Sequence, residues 1–197
     1  GIFPSLPGGI DRVMKAELDN MREKGLTPKF FDLIPDLKGA KLYPDQFNLD
    51  KWRNWRSGLK CKIGDVDLIG AIDDLIILPN GKYVTLDYKS KGSPATQEDS
   101  EKYYQMQLDV YSLLLKENEM ETAGFGILAY VFPTHCDATE MDYAEFCFKI
   151  QPIRIATDPE RARALITKAV ACLTFAIEPP SSPNCEYCAF LAARMAR

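Results

Sequence analysis

Ile69-Gly70-Ala71-Ile72-Asp73-Asp74-Leu75-Ile76-Ile77-Leu78-Pro79-Asn80-Gly81-Lys82-Tyr83-Val84-Thr85-Leu86-Asp87-Tyr88-Lys89 is the stretch that decides how this 197-residue chain folds. From Ile69 to Leu78 nearly every residue except Asp73 and Asp74 is apolar or glycine, on both parities, as expected of a central strand covered on both faces. Tyr83 to Lys89 reads as the next strand, and the turn between them sets the register. If Asn80-Gly81 were a two-residue turn, Pro79 would have to exchange hydrogen bonds with Lys82, and proline has no N–H to give. If Pro79 and Asn80 are central in a type I turn, with Gly81 left-handed in a bulge, then Leu78 faces Lys82. Counting back from that pair sets Asp73, rather than Asp74, opposite Asp87. Side chains alternate with period two, so Asp73, Asp87 and Lys89 share one face.

Two carboxylates directly opposite each other in a sheet repel, and charges flanked by Ile72, Leu75, Leu86 and Tyr88 are costly to bury unless something positive lies between them. A divalent cation answers both problems. Hard cations such as Mg²⁺ take oxygen ligands, and two carboxylates with a backbone carbonyl make a suitable set. An ordinary buried ion pair, Asp87 or Asp73 with Lys89, is the other reading of these three residues.

Working outward, Ile10 to Lys24 carries Ile10, Val13, Met14, Leu18 and Met21 at helical spacing, after a turn-rich lead through Pro7-Gly8-Gly9. Thr27 to Leu49 is interrupted by prolines and reads as irregular with short elements. Asp50 is the expected cap of a short helix carrying Trp52, Arg53, Trp55 and Arg56, and Leu59 to Leu68 reads as extended chain. Aromatic and basic residues interleave there, but tryptophans docked on the core with arginines in solvent are the better reading. Downstream the pattern predicts a helix over Asp99 to Glu117, strands over Gly124 to Phe132 and Tyr143 to Ile153, and a helix over Asp158 to Ile177. The expected architecture is a single α/β domain over residues 1–197, with a mixed central β-sheet flanked by helices and a cysteine-containing segment over 178–197.

A formal net charge of −4 excludes a molecule coated in basic surface, so any nucleic-acid contact must come from a local groove. Arg53, Arg56, Lys60, Lys62 and Lys91 are the candidate phosphate contacts. No apolar run reaches the roughly 20 residues of a membrane-spanning helix, and scattered cysteines suit a reducing compartment, so a cytoplasmic protein is expected, without a membrane partner. The chain opens at Gly1 rather than methionine, and its N-terminal boundary is left open.

Gly70-Ala71-Ile72-Asp73, Asp87-Tyr88-Lys89 and Gln107-Leu108-Asp109-Val110-Tyr111, in that order, resemble the G-x-x-D, D-x-K and Q-x-x-x-Y series of RecB-like and Cas4-like exonuclease domains of the PD-(D/E)XK nuclease superfamily. The resemblance spans about residues 60–190 and implies a restriction-endonuclease-like fold. It implies that Asp73, Asp87 and the Tyr88 carbonyl bind Mg²⁺ or Mn²⁺. Lys89 would then orient the attacking water or steady charge on phosphorus, and Gln107 and Tyr111, four apart on one helix face, would border the site. Many relatives carry a further histidine or glutamate on a helix before the first strand. His135, the only histidine, lies downstream, which leaves Asp11, Glu17 and Asp19, with Glu17 preferred for its reach.

Cys185-Glu186-Tyr187-Cys188 resembles the C-terminal cysteine motif of the iron–sulfur members. A [4Fe–4S] cluster or a zinc ion favours four soft ligands, and this pair supplies two. A cluster is therefore expected only in a longer native chain, with Cys172 and Cys61 as weaker substitutes for its missing ligands. The function these readings imply is a metal-dependent, exonuclease-like DNA nuclease acting on single-stranded DNA or DNA ends, alone or within a larger DNA-processing complex. A catalytically inactive nucleic-acid-binding module of the same fold is the alternative, and a small redox factor built on Cys185 and Cys188 is a third.

Overall fold

In the computed structural model, residues 5–135, 147–175 and 180–195 are described. Helix α1 (Ser5–Glu23) starts earlier than the periodicity suggests. Pro7 is tolerated there because the first-turn N–H groups have no helical partner in any case. Two 3₁₀ turns, Lys29–Leu33 and Pro35–Leu37, lead into the short strand β1 (Lys41–Leu42). Helix α2 (Gln46–Arg53) is capped by Asp45, whose side chain accepts from the Asn48 N–H. The expected cap, Asp50, lies inside that helix, because Gln46, Phe47 and Asn48 extend it by a turn with little apolar signal.

The first departure that matters for the site lies in the extended region. Leu59 to Leu68, expected as extended chain, lies in a hairpin, β2 (Leu59–Ile63) and β3 (Val66–Gly70), turned at Gly64 with φ +60°. The apolar run from Ile69 is not one strand. It leaves the hairpin at Gly70, where the Ile72 N–H donates to the Trp52 carbonyl, and enters the main sheet at β4 (Asp74–Ile77). Asp73 thus sits at the break between two sheets.

The turn after β4 takes the expected form. Gly81 has φ +81°, its N–H donates to the Leu78 carbonyl, and the Leu78 N–H donates to the Lys82 carbonyl at 2.9 Å. Strand β5 (Tyr83–Ser90) pairs antiparallel with β4 in the register Asp74↔Leu86 to Ile77↔Tyr83, and the same count sets Asp73, just outside the ladder, against Asp87. Helix α3 (Gln97–Glu117), capped by Thr96, crosses to β6 (Phe125–Thr134), parallel to β5. Strand β7 (Cys147–Ala156) returns antiparallel, followed by α4 (Pro159–Leu173) and α5 (Glu186–Met195). The start expected for this last strand, at Tyr143, lies outside the described residues. Helix α5 went unread because the cysteine motif, not helical spacing, dominates that stretch.

The main sheet has the order β1-β4-β5-β6-β7, a mixed sheet with helices packed against it. Alternation along β5 divides the core. Val84, Leu86 and Tyr88 join Leu18 of α1, Phe31 and Leu37 on one face, while Leu75, Leu108, Tyr111, Leu114, Leu128 and Ile155 form the core on the α3 face. Leu75, Ile76, Val84 and Leu86 are fully buried, each side chain contributing about 2 kcal/mol of transfer free energy. The same alternation carries Asp87 to the α3 face and Asp74 to the α1 face.

Candidate active site

Asp87 is the centre of the cluster. Only 1% of its surface is exposed, and Oδ1 accepts a 3.0 Å hydrogen bond from Gln107 Nε2 on α3. Its second oxygen, Oδ2, is buried and is paired with the Lys89 ammonium, whose Nζ lies 2.5 Å away. Burial pushes the Asp87 carboxyl up to about 6 against the pull of Lys89, and the charge of Asp73 adds to the rise. Lys89 also lies 4.7 Å from the centre of the Tyr104 ring, so its ammonium has a second favourable surface.

Asp73 closes the cluster from the sheet break. Its Oδ2 accepts the Tyr88 backbone N–H at 3.1 Å, satisfying a donor that the end of β4 leaves without a ladder partner. Its Oδ1 lies 2.9 Å from Lys15 Nζ of α1, and Lys15 also contacts Asp11 Oδ2 at 2.9 Å. Burial alone would lower the Lys15 ammonium, but the charges of Asp73 and Asp11 outweigh it and hold the ammonium above its ordinary range. The Asp73 carbonyl accepts from Arg53 Nε at 2.7 Å, which fixes the backbone of the break.

The neighbouring Asp74 points the other way into a saturated network. It accepts from Arg22 Nη2 at 2.5 Å, Arg53 Nη2 at 3.2 Å, Tyr88 Oη at 2.6 Å and the Leu75 N–H at 2.8 Å. Asp19 joins both arginines from α1. Arg53 is therefore not solvated as the sequence suggested, nor is it available to phosphates, because its guanidinium is used up in this network.

Gln107 and Tyr111 do meet at the site. Gln107 Nε2 also reaches Tyr111 Oη at 2.7 Å, and burial raises the Tyr111 hydroxyl well above its ordinary value. Gly70 leaves the space that the helix needs, since a Cβ there would lie 2.4 Å from Leu114 Cδ1 and 3.8 Å from the Tyr111 ring. Asp109, in the same motif, turns away to a bidentate pair with Arg161.

Glu17 lies apart from the cluster of Asp73, Asp87 and Lys89. It is exposed and lines a separate cavity with Met14, Met21, Pro28 and Phe30, about 200° around α1 from Lys15. The face of α1 that meets the sheet carries Asp11, Lys15, Asp19 and Arg22, at spacings of four, four and three. Sequence reasoning missed Lys15 because it sought an oxygen or nitrogen ligand rather than a cation. Trp52 docks on the core, whereas Trp55 is 67% exposed with the Arg56 guanidinium 4.3 Å from its ring centre. His135 is exposed after β6.

The chain belongs to the PD-(D/E)XK nuclease superfamily. Its family model matches residues 8–193, which include every element just described from α1 to the first turns of α5. Members of the superfamily are nucleases and generally use Mg²⁺ or Mn²⁺. Among solved structures, one titled "Crystal structure of SSO0001" is 21% identical, with a TM-score of 0.36; the match covers 83% of this chain and 65% of that one. No curated protein matches the chain.

The donors fit a hard divalent cation. Such an ion would neutralise two neighbouring carboxylates, Asp73 and Asp87, and would take up the buried Asp87 Oδ2 that Lys89 faces, with the Tyr88 carbonyl as a further candidate oxygen. Among the described residues, no group of three or more His, Cys, Asp or Glu side chains converges into a cation cage. The C-terminal pair does not make a four-ligand set. Cys185 Sγ accepts the Cys188 N–H at 3.4 Å at the start of α5, while Cys61 packs in the core and Cys172 lies on α4.

Proposed function

We propose that this protein is a metal-dependent DNA nuclease that hydrolyses phosphodiester bonds by attack of water, with Mg²⁺ or Mn²⁺ held by Asp73, Asp87 and the Tyr88 carbonyl. The observation that carries the reading is the closeness of two carboxylates: Asp73 accepts the Tyr88 N–H and its charge raises the Asp87 carboxyl, whose buried Oδ2 is faced by the Lys89 ammonium. The bound cation supplies charge stabilisation at the phosphoryl oxygens and lowers the pKa of water. Asp87 is oriented for this by Gln107, which Tyr111 in turn positions. Lys89, beside Asp87 and over Tyr104, is placed to align the nucleophilic water or to steady charge on phosphorus.

A single-stranded or end-bearing substrate is favoured by the surroundings. A cavity of about 510 Å³ lined by Leu6, Pro7, Ile10, Pro133 and Phe148 lies against Ser90 and Lys91, immediately beyond Lys89. A smaller one shares Pro7, Ile10 and Ser90 with it and adds Asp11 and Lys89. An apolar recess beside the cleavage residues suits an unstacked base, and Lys91 suits its phosphate.

The test is cleavage of single-stranded and duplex DNA and of RNA with Mg²⁺ or Mn²⁺. Wild type is expected to degrade DNA, with unpaired ends preferred. Lys89→Ala is expected to lose at least about a hundredfold in rate with its thermal transition intact. Full activity in that variant, or binding of every substrate without degradation by wild type, overturns the reading.

A further inference from the structure

We propose that Lys15 is the displaceable counter-ion of the metal site: it pairs with Asp73 while the cation is absent, yields that carboxylate to the divalent ion, and is then held by Asp11. The inference rests on the metal-site reading above and concerns how the site is loaded.

Charge balance is the first argument. Asp73, Asp87 and Asp11 face Lys15 and Lys89, so the five side chains together carry one negative charge. A divalent ion at Asp73 sets two further positive charges against the two ammonium groups, and the like charges repel unless an ammonium withdraws. The second argument decides which one withdraws. Lys89 belongs to the sheet, beside the buried Asp87 and over the Tyr104 ring. Lys15 comes from α1, its side chain is 26% exposed, and it already touches an alternative carboxylate, Asp11, one helical turn away.

The third argument is chemical. The other cations contributed to this region by α1 and α2, Arg22 and Arg53, are guanidinium forks, each bound to several acceptors at once. A lysine ammonium is a compact charge on a flexible stem and changes partner without breaking a bidentate geometry. Lysine therefore stands where exchange is needed, and arginine where the backbone must be fixed.

The experiment is calorimetric titration of Mn²⁺ into the full chain without nucleic acid, for wild type, Lys15→Met, Asp11→Asn, the double variant and Asp87→Asn. Lys15→Met is expected to bind Mn²⁺ more tightly, by about fivefold for a partly exposed ion pair, and Asp11→Asn more weakly. In the Lys15→Met background the Asp11 substitution is expected to be silent, because Asp11 acts through Lys15. Lys15→Gln, a second neutral variant, should reproduce the tightening, and each variant's thermal transition checks its fold. Equal or weaker binding in both neutral variants overturns the role of Lys15, as does an Asp11 effect of the same size in both backgrounds. If wild type takes up no Mn²⁺, the metal-site reading falls and this inference falls with it. If wild type binds and Asp87→Asn does not, while the Lys15 variants match wild type, only this inference falls.

Discussion

Asp74 and Asp87 are both buried aspartates on the same antiparallel strand pair, one on each face, yet their surroundings are built in opposite ways. Asp74 receives two guanidinium forks, a phenol and a backbone N–H, so both oxygens are saturated and α1 and α2 are tied to β4. Asp87 receives one amide hydrogen bond at Oδ1 and a single ammonium at Oδ2. Full satisfaction makes a carboxylate part of the scaffold; incomplete satisfaction keeps a buried anion ready for an incoming cation.

The same substitution at the two positions separates them most sharply. Asp87→Asn is expected to lower cleavage by on the order of a thousandfold or more, with the thermal transition unchanged or raised, because a neutral amide replaces a costly buried charge. Asp74→Asn is expected to cost about 3–5 kcal/mol by leaving two buried arginines under-paired, lowering the melting temperature by roughly 10 °C. A similar loss of stability at both positions in thermal melts would erase the distinction.

A smaller effect follows from protonation. The folded-state value of Asp87, raised to about 6 by burial, exceeds the ordinary value of 3.8, so the folded protein binds the proton more tightly than the unfolded chain. In chelator, its contribution to stability is complete below about pH 4 and is lost as pH rises through about 6, a fall on the order of 3 kcal/mol. Asp87→Asn should remove that component from a pH series of denaturant midpoints, and metal uptake should weaken below about pH 6 as protons compete. Identical pH slopes in the two proteins would place the charge cost elsewhere.

The smallest expected change is at the border of the cluster. Tyr111→Phe removes one hydrogen bond to Gln107 and should cost about 1 kcal/mol of stability and no more than about tenfold in cleavage. A loss as large as that of Asp87→Asn would move Tyr111 from positioning Gln107 to the reaction itself.

How far this contrast was legible in the sequence depended on range. Pro79 and Gly81 set the register locally, because a missing N–H and a left-handed backbone admit few turns, and the choice of Asp73 over Asp74 followed by counting. Four-residue spacing put Gln107 and Tyr111 on one helix face, and the resemblance to the Q-x-x-x-Y motif singled them out. The split of the Ile69–Leu78 run was not, because an apolar stretch on both parities looks the same whether it serves one sheet or two. Nor was the phase of α1, whose charged residues lie on several faces; only packing shows that Lys15 and Asp11 meet the sheet while Glu17 faces another cavity. The ion network of Arg22, Arg53 and Asp74 joins residues up to 52 positions apart, beyond any local pattern.

The central claim is the identity of the pair that holds the cation, and anomalous diffraction from crystals soaked in Mn²⁺ tests it most directly. A peak within ligand distance of both Asp73 and Asp87 is the predicted result, with Asp74 still bound to Arg22 and Arg53. A peak at Asp74, or at neither carboxylate of the pair, would contradict it.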